Sequence, residues 1–554
     1  MWALSSFYYA VIVTYLRCTV LARTAKYHDS SRTLDIAVFN GTSFYHYANT
    51  EAMYSAERPF RNVDSTDGDM PPASFLAANR KVHDILQDIL RNASERHSAT
   101  YVQRKAHLES TAGMAAGLIE ADAAVHKNRS MSRERLEQLV SDFYASGMDV
   151  EAKQAAGTSI FNPLLEQISH ISDTKSLAQN IAALHSVNIQ AVFRVDIFPG
   201  LDLQRSNMFL LKKTPLGLQT LDDYLAKNRF SERAEYKQRI SRKLCMLGDR
   251  NSEAPAEEVI EFETELARSP LNFTLNRPTF VGVEDLRALS APFDLPAHFK
   301  AIGSPHSGLI LAESVDLLQT AGRLTGDTHM SRWHSYLRWC LLDRALPILI
   351  GDTAHNMTAR ADEVLAKTND VLGDALGQLY VQAAFTPSQK ARATQSVRTL
   401  QAALRESVIA SEWMTSQTRQ GVLDKLDHLS IHVGEPQTSV DYTDLVIDRS
   451  SYADNIMRAR RHSFADKVAT IGQPGRAYLQ PQVVNALYSN CDNSIHISAA
   501  IMQSPLFDAH ADYAVLYGGI DAIIGHEICT RMVRTSGDHS PCLDLRASGS
   551  LAKI

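Results

Sequence analysis

The residues most able to do chemistry in this sequence fall in one short run, His526-Glu527-Ile528-Cys529-Thr530. A histidine followed directly by a glutamate on a helix begins the H-E-x-x-H arrangement. Residues at i and i+4 lie one turn apart on one face, so two imidazoles can reach one tetrahedral zinc while the glutamate polarises a zinc-bound water. His526 is then the candidate metal ligand and Glu527 the candidate general base, but Thr530 stands where the second imidazole belongs. A neutral hydroxyl is not a usual zinc donor and is too short to replace an imidazole. Cys529, at i+3, could offer a thiolate, yet a His/Cys pair leaves zinc two ligands short; the favoured reading of Cys529 is a small buried apolar residue. A single helical histidine is more often a core residue than a ligand, so the weight of this run depends on what surrounds it.

The elements that must position it follow from periodicity. A helix is expected over residues 513–529, and short strands over 482–488 and 494–498, where Val, Ile and polar residues alternate around a polar turn. Upstream, residues 74–420 read as successive amphipathic helices, for example 77–90 and 136–145, with few strands. Clusters of Pro, Gly and polar residues break the pattern at 67–72, 213–217, 252–255, 290–296 and 434–436.

At 554 residues, 45% hydrophobic and 21% charged, the chain is long enough for more than one core and is neither disordered nor fibrous in composition. Its net charge of -6 is spread over mixed-sign segments with no basic stripe, so no nucleic-acid partner is expected. Cys18, Cys245, Cys340, Cys491, Cys529 and Cys542 form no CxxC pair and are too sparse for a disulfide framework. The uncharged stretch 2–16 falls short of the roughly 20 residues of a membrane span. No clear transmembrane span is expected, and export remains compatible with the sequence.

The run Leu516-Tyr517-Gly518-Gly519-Ile520-Asp521-Ala522-Ile523-Ile524-Gly525-His526-Glu527-Ile528 resembles the zinc segment N-Y-G-G-I-G-x-V-I-G-H-E-I-T-H-G-F-D-D of the neprilysin and endothelin-converting-enzyme family of zinc metalloendopeptidases. Leu516 replaces the Asn, Asp521 the Gly and Ile523 the Val, and the match departs after Ile528. Segments similar to the family recur upstream in order. They include Phe44-Tyr45-His46-Tyr47-Ala48-Asn49, Asp142-Phe143-Tyr144, Leu216-Gly217-Leu218 with Asp222-Asp223-Tyr224, Glu263-Thr264-Glu265-Leu266-Ala267, Tyr336-Leu337-Arg338-Trp339 and Gly434-Glu435-Pro436. Val484-Asn485-Ala486-Leu487-Tyr488 is similar to the family's V-N-A-x-Y, which implies that Asn485 and Ala486 bind the substrate backbone by strand addition; a strand end capped by its own Asn is the plain alternative.

The resemblance, to the disulfide-poor bacterial-like branch, implies a mostly α, two-lobed fold. A large helical N-terminal lobe would precede the beginning of a thermolysin-like (gluzincin) α+β catalytic domain. The expected division is a leader or signal segment over 1–33, a helical domain over 34–436, the opening of the catalytic domain over 437–530 and a non-matching tail over 531–554. The implied activity is zinc-dependent hydrolysis of oligopeptides, and the implied partners are peptide substrates. With the second histidine replaced and the third ligand absent before Ile554, the chain as it stands is expected to be inactive and its zinc binding doubtful; a pseudoenzyme or peptide-binding protein that keeps the helical lobe is the alternative. A reading-frame event near Thr530 would account for the departure. Loss of later helices would leave the apolar face of Ile520, Ile523 and Ile524 partly exposed.

Overall fold

The computed structural model describes residues 73–111, 131–156, 158–199, 206–249, 251–268, 279–304, 310–327, 329–350, 356–434, 440–475, 478–489 and 492–534. The leader 1–33, the segment 44–49, Glu435-Pro436 and the tail beyond Arg534 lie outside these residues. The described residues are mostly helical, as expected, and divide into two compact units, each assembled from separated stretches of chain. One comprises the described residues of Gln138–Leu372 and Asp441–Gly475; the other comprises the described residues within Met1–Glu137, Gly373–Val440 and Arg476–Ile554. No described helix is long and apolar enough to cross a membrane.

The unit built on Gln138–Leu372 holds an aromatic core. Trp333, Trp339, Tyr336, Phe143, Phe161 and Phe193 are fully buried, and Phe262 stacks on Tyr336 with ring centres 4.1 Å apart. Several of the family-like segments meet here around one carboxyl. Glu263 Oε2 accepts hydrogen bonds from the hydroxyls of Tyr224 and Tyr236, each at 2.7 Å. Tyr224 in turn accepts the N–H of Leu218 at 2.8 Å, and Tyr236 accepts Nε1 of Trp339 at 3.0 Å. Burial, offset partly by these tyrosines, pushes the Glu263 carboxyl above its usual value. Segments far apart in sequence are therefore tied by a buried network rather than by a ligand.

Among the described residues strands are few, as expected, and those of this unit come together in one sheet. A four-stranded sheet runs in the order β1-β2-β4-β3, from Phe193–Pro199 (β1), Asn207–Lys213 (β2), Thr279–Val281 (β3) and Ile310–Ala312 (β4). β1 and β2 form an antiparallel pair with Phe193 opposite Lys213, and β1 alternates buried Phe193 and Val195 with exposed Arg194 and half-exposed Asp196. Two three-residue strands complete it, too short for any alternation to register.

The other unit contains Ser430–Val433 (β5), Ala486–Ser489 (β6) and Ser494–Ile497 (β7), in the order β5-β7-β6, which leaves β6 on an edge. Strand β6 starts later than the expected 482–488, because residues 481–484 form turns and bends. The single helix expected over 513–529 is two: Tyr513–Gly518, capped by Asp512 through the N–H of Val515 at 3.0 Å, and Ile520–Arg534. They part at Gly519 (φ -99, ψ -112), where the N–H of Ile520 turns to the Leu506 carbonyl at 3.1 Å. A Cβ on Gly519 would meet that carbonyl oxygen at 2.7 Å, so the turn has room only for glycine. Of the three residues expected to be partly exposed, Ile523 is half-buried, whereas Ile520 and Ile524 are buried. Ile520, Ile524 and Ile528, at i, i+4 and i+8, are at most 1% exposed, against a surface to which Pro387–Ile409, Ser416–Asp427 and β6 all contribute.

Candidate functional site

Helix Ile520–Arg534 presents the run His526-Glu527 beside edge strand β6. The decisive contact is a main-chain one: Glu527 Oε2 accepts the N–H of Tyr488 at 3.2 Å. Two residues earlier, the N–H of Ala486 donates to Asn485 Oδ1 at 2.8 Å. Residues two apart on a strand direct their main-chain groups to the same side, so the amides and carbonyls of Ala486 and Tyr488 face the open edge while the intervening residues serve β7. Asn485 closes the other side, its carbonyl accepting the N–H of Ser498 at 3.2 Å. Its side chain thus caps the start of β6, while the Ala486 carbonyl points toward the position a further strand would occupy.

The sheet behind this edge is firmly built. His496 of β7 stacks on His432 of β5 with ring centres 4.8 Å apart and meets Ser494 Oγ at 2.7 Å. Burial pulls its imidazole down to about 4.

The metal donors are less complete. His526 is exposed and Glu527 half-buried. Cys529 is 8% exposed, and desolvation pushes its thiol up to about 12, which opposes the thiolate a metal needs. Thr530 follows it with no imidazole. Among the described residues no three His, Cys, Asp or Glu side chains gather as a metal site. The described donors therefore do not fit a complete zinc centre.

Two features of the site were not read from the sequence. Tyr488 is the residue whose amide holds Glu527; its place at the end of V-N-A-x-Y, two residues from Ala486 on the same strand face, was the available signal. Asp521, which stands at a glycine of the resembled segment, is 2% exposed, and burial pushes its carboxyl up to about 7.

Comparison with known proteins agrees with this architecture. Residues 41–436 match the N-terminal profile of Peptidase family M13, and residues 485–545 match the profile of its peptidase region. The chain belongs to peptidase family M13. Endothelin-converting enzyme-like 1 of Rattus norvegicus is 27% identical over 366 residues, covering 59% of this chain and 47% of that protein. Neprilysin-3 of Drosophila melanogaster is 25% identical over 441 residues, covering 70% of this chain and 56% of that protein. Among solved structures, the open state of Mycobacterium tuberculosis zinc metalloprotease Zmp1 superposes with a TM-score of 0.70 at 26% identity, over 87% of this chain and 73% of that one. The chain spans about half the length of the curated M13 relatives it matches.

Proposed function

We propose that this chain carries the peptide-binding edge, the first zinc ligand and the general base of an M13 zinc metalloendopeptidase, and that alone it does not hydrolyse peptides. The observation that carries the reading is the Glu527 carboxylate held by the Tyr488 amide beside an open strand edge. A zinc held there would supply Lewis-acid activation of a water, and the glutamate would be placed as its base. The arrangement here supports two parts of that task. Glu527 is fixed at the rim of β6, and the Ala486 carbonyl can accept from the backbone of an oligopeptide laid alongside as an added strand, with Asn485 beside it. His526 would be the first metal ligand, within the stretch 485–545 that matches the family's peptidase region. Thr530 in place of an imidazole, with Cys529 buried as a thiol, supports inactivity of the chain by itself.

The same open edge favours a second reading, in which the chain binds oligopeptides without cleaving them. A quenched fluorescent oligopeptide incubated with the full chain and added zinc tests both. The expected result is no cleavage above the zinc blank, together with saturable binding that weakens in Asn485→Ala. Turnover that disappears in Glu527→Gln would overturn the inactive reading, and absence of any binding would overturn the peptide edge.

A further inference from the structure

We propose that Asp521 makes the seating of the helix bearing His526 and Glu527 pH-dependent, firm in mild acid and loosened where this carboxyl must carry charge. The inference does not depend on whether the chain cleaves peptides. Asp521 lies in the first turn of Ile520–Arg534, buried against Pro387–Ile409, and among the described residues neither carboxylate oxygen closes a hydrogen bond. Helices Pro387–Ile409, Ser416–Asp427 and Tyr513–Gly518 and strands β6 and β7 all pack on this helix; the groups on them that act on the carboxyl are the Ser396 hydroxyl and the Arg392 guanidinium. The Ser396 hydroxyl faces it and favours its charged form. Arg392 is committed elsewhere. Its Nη2 donates to the Ala511 carbonyl at 3.4 Å, its guanidinium lies 4.2 Å from the centre of the Tyr513 ring, and its buried Nε has no partner.

An acid and a base thus share one helix interface without pairing, an arrangement in which desolvation is not offset by contact. The guanidinium cannot shed its charge, but the carboxyl can, by taking up a proton. Burial accordingly pushes it up to about 7, with Ser396 and Arg392 pulling the other way, against an ordinary value of 3.8 in the opened chain. For a group whose seated value is raised, the stabilisation is full below the opened value, is lost as pH rises toward the seated value, and levels off above it. The glycine of the resembled zinc segment would bring no such group here.

Cys529, buried on the same helix, reports the opening, and Cys340, buried in the other unit, serves as control. Alkylation at each cysteine is followed by peptide mass spectrometry in the full chain, in Asp521→Asn, which mimics the protonated carboxyl, and in Asp521→Gly, which removes it. Comparing variants at one pH cancels the intrinsic pH dependence of the thiol. The expected result is that the wild-type rate at Cys529, relative to Asp521→Asn, rises at least about tenfold from about pH 5.5 to about pH 8, while the ratio at Cys340 stays level. Asp521→Gly gives the same reading should the Asn variant fail to fold. A ratio that does not change with pH, or one that climbs equally at Cys340, would overturn the proposal.

Discussion

Glu527 owes its position to a main-chain donor. Because the Tyr488 amide belongs to β6, this bond ties the carboxylate to the strand edge itself. Cys529, two residues on, shows the opposite adaptation: with its thiol pushed up to about 12, the thiolate fraction near neutral pH is very small. Alkylation at about pH 8 is therefore expected to modify exposed Cys245 at least about tenfold faster than Cys529, and comparable rates at the two sites would restore Cys529 as a candidate ligand. In the other unit, Glu263 holds two tyrosine hydroxyls at 2.7 Å with its carboxyl 3% exposed. Glu263→Ala strands both hydroxyls and opens a void, so urea denaturation is expected to show a loss of about 2–4 kcal/mol, with Glu263→Gln milder. A change within about 0.5 kcal/mol would mean that the network contributes little.

At the scale of elements, the connection ahead of Ile520–Arg534 depends on Gly519. Gly519→Ala drives a methyl into the Leu506 carbonyl and must shift either the helix or that loop. A loss of about 1–3 kcal/mol is expected by urea denaturation, and an unchanged midpoint would show that the loop yields freely. The break itself was hidden in the sequence, since a glycine inside a helical period does not by itself announce a turn. The helical period of residues 77–90 and 136–145 was legible because one apolar stripe repeats over several turns, and both stretches fall within helices, Ala73–Thr111 and Arg133–Met148. The alternation of Phe193, Arg194, Val195 and Asp196 was equally available but stood among helices, and the three residues of β3 and of β4 carry no period at all. At the site, His526 and Glu527 could be named from the start of an H-E-x-x-H run together with the family resemblance, and Asn485 and Ala486 from that resemblance alone. The amide of Tyr488 was only hinted at by its place in V-N-A-x-Y, because main-chain partners across 39 positions are set by packing and leave no mark in side-chain type.

At the scale of the whole molecule, buried imidazoles govern the response to acid. His185 and His298 are both 0% exposed, with Nδ1 of one 2.9 Å from Nε2 of the other, and desolvation holds His185 down to about 4 and His298 well below 6.5. For a folded value depressed below the unfolded one, the stability is present above about pH 6.5 and is lost as pH falls toward about 4, on the order of 3 kcal/mol if one of the pair is counted. His496 adds a contribution of the same sign in the other unit. Thermal unfolding is expected to shift to lower temperature between about pH 6.5 and about pH 4, and a midpoint that stays constant over that window would show these imidazoles to be solvated. The central claim, that an M13 peptide edge and general base stand without a complete set of zinc donors among the described residues, is tested most directly by metal content. After the full chain is dialysed against zinc-free buffer at neutral pH, atomic spectroscopy should find far less than one zinc per chain, unchanged by His526→Ala. One tightly held zinc per chain, lost in His526→Ala, would contradict the account.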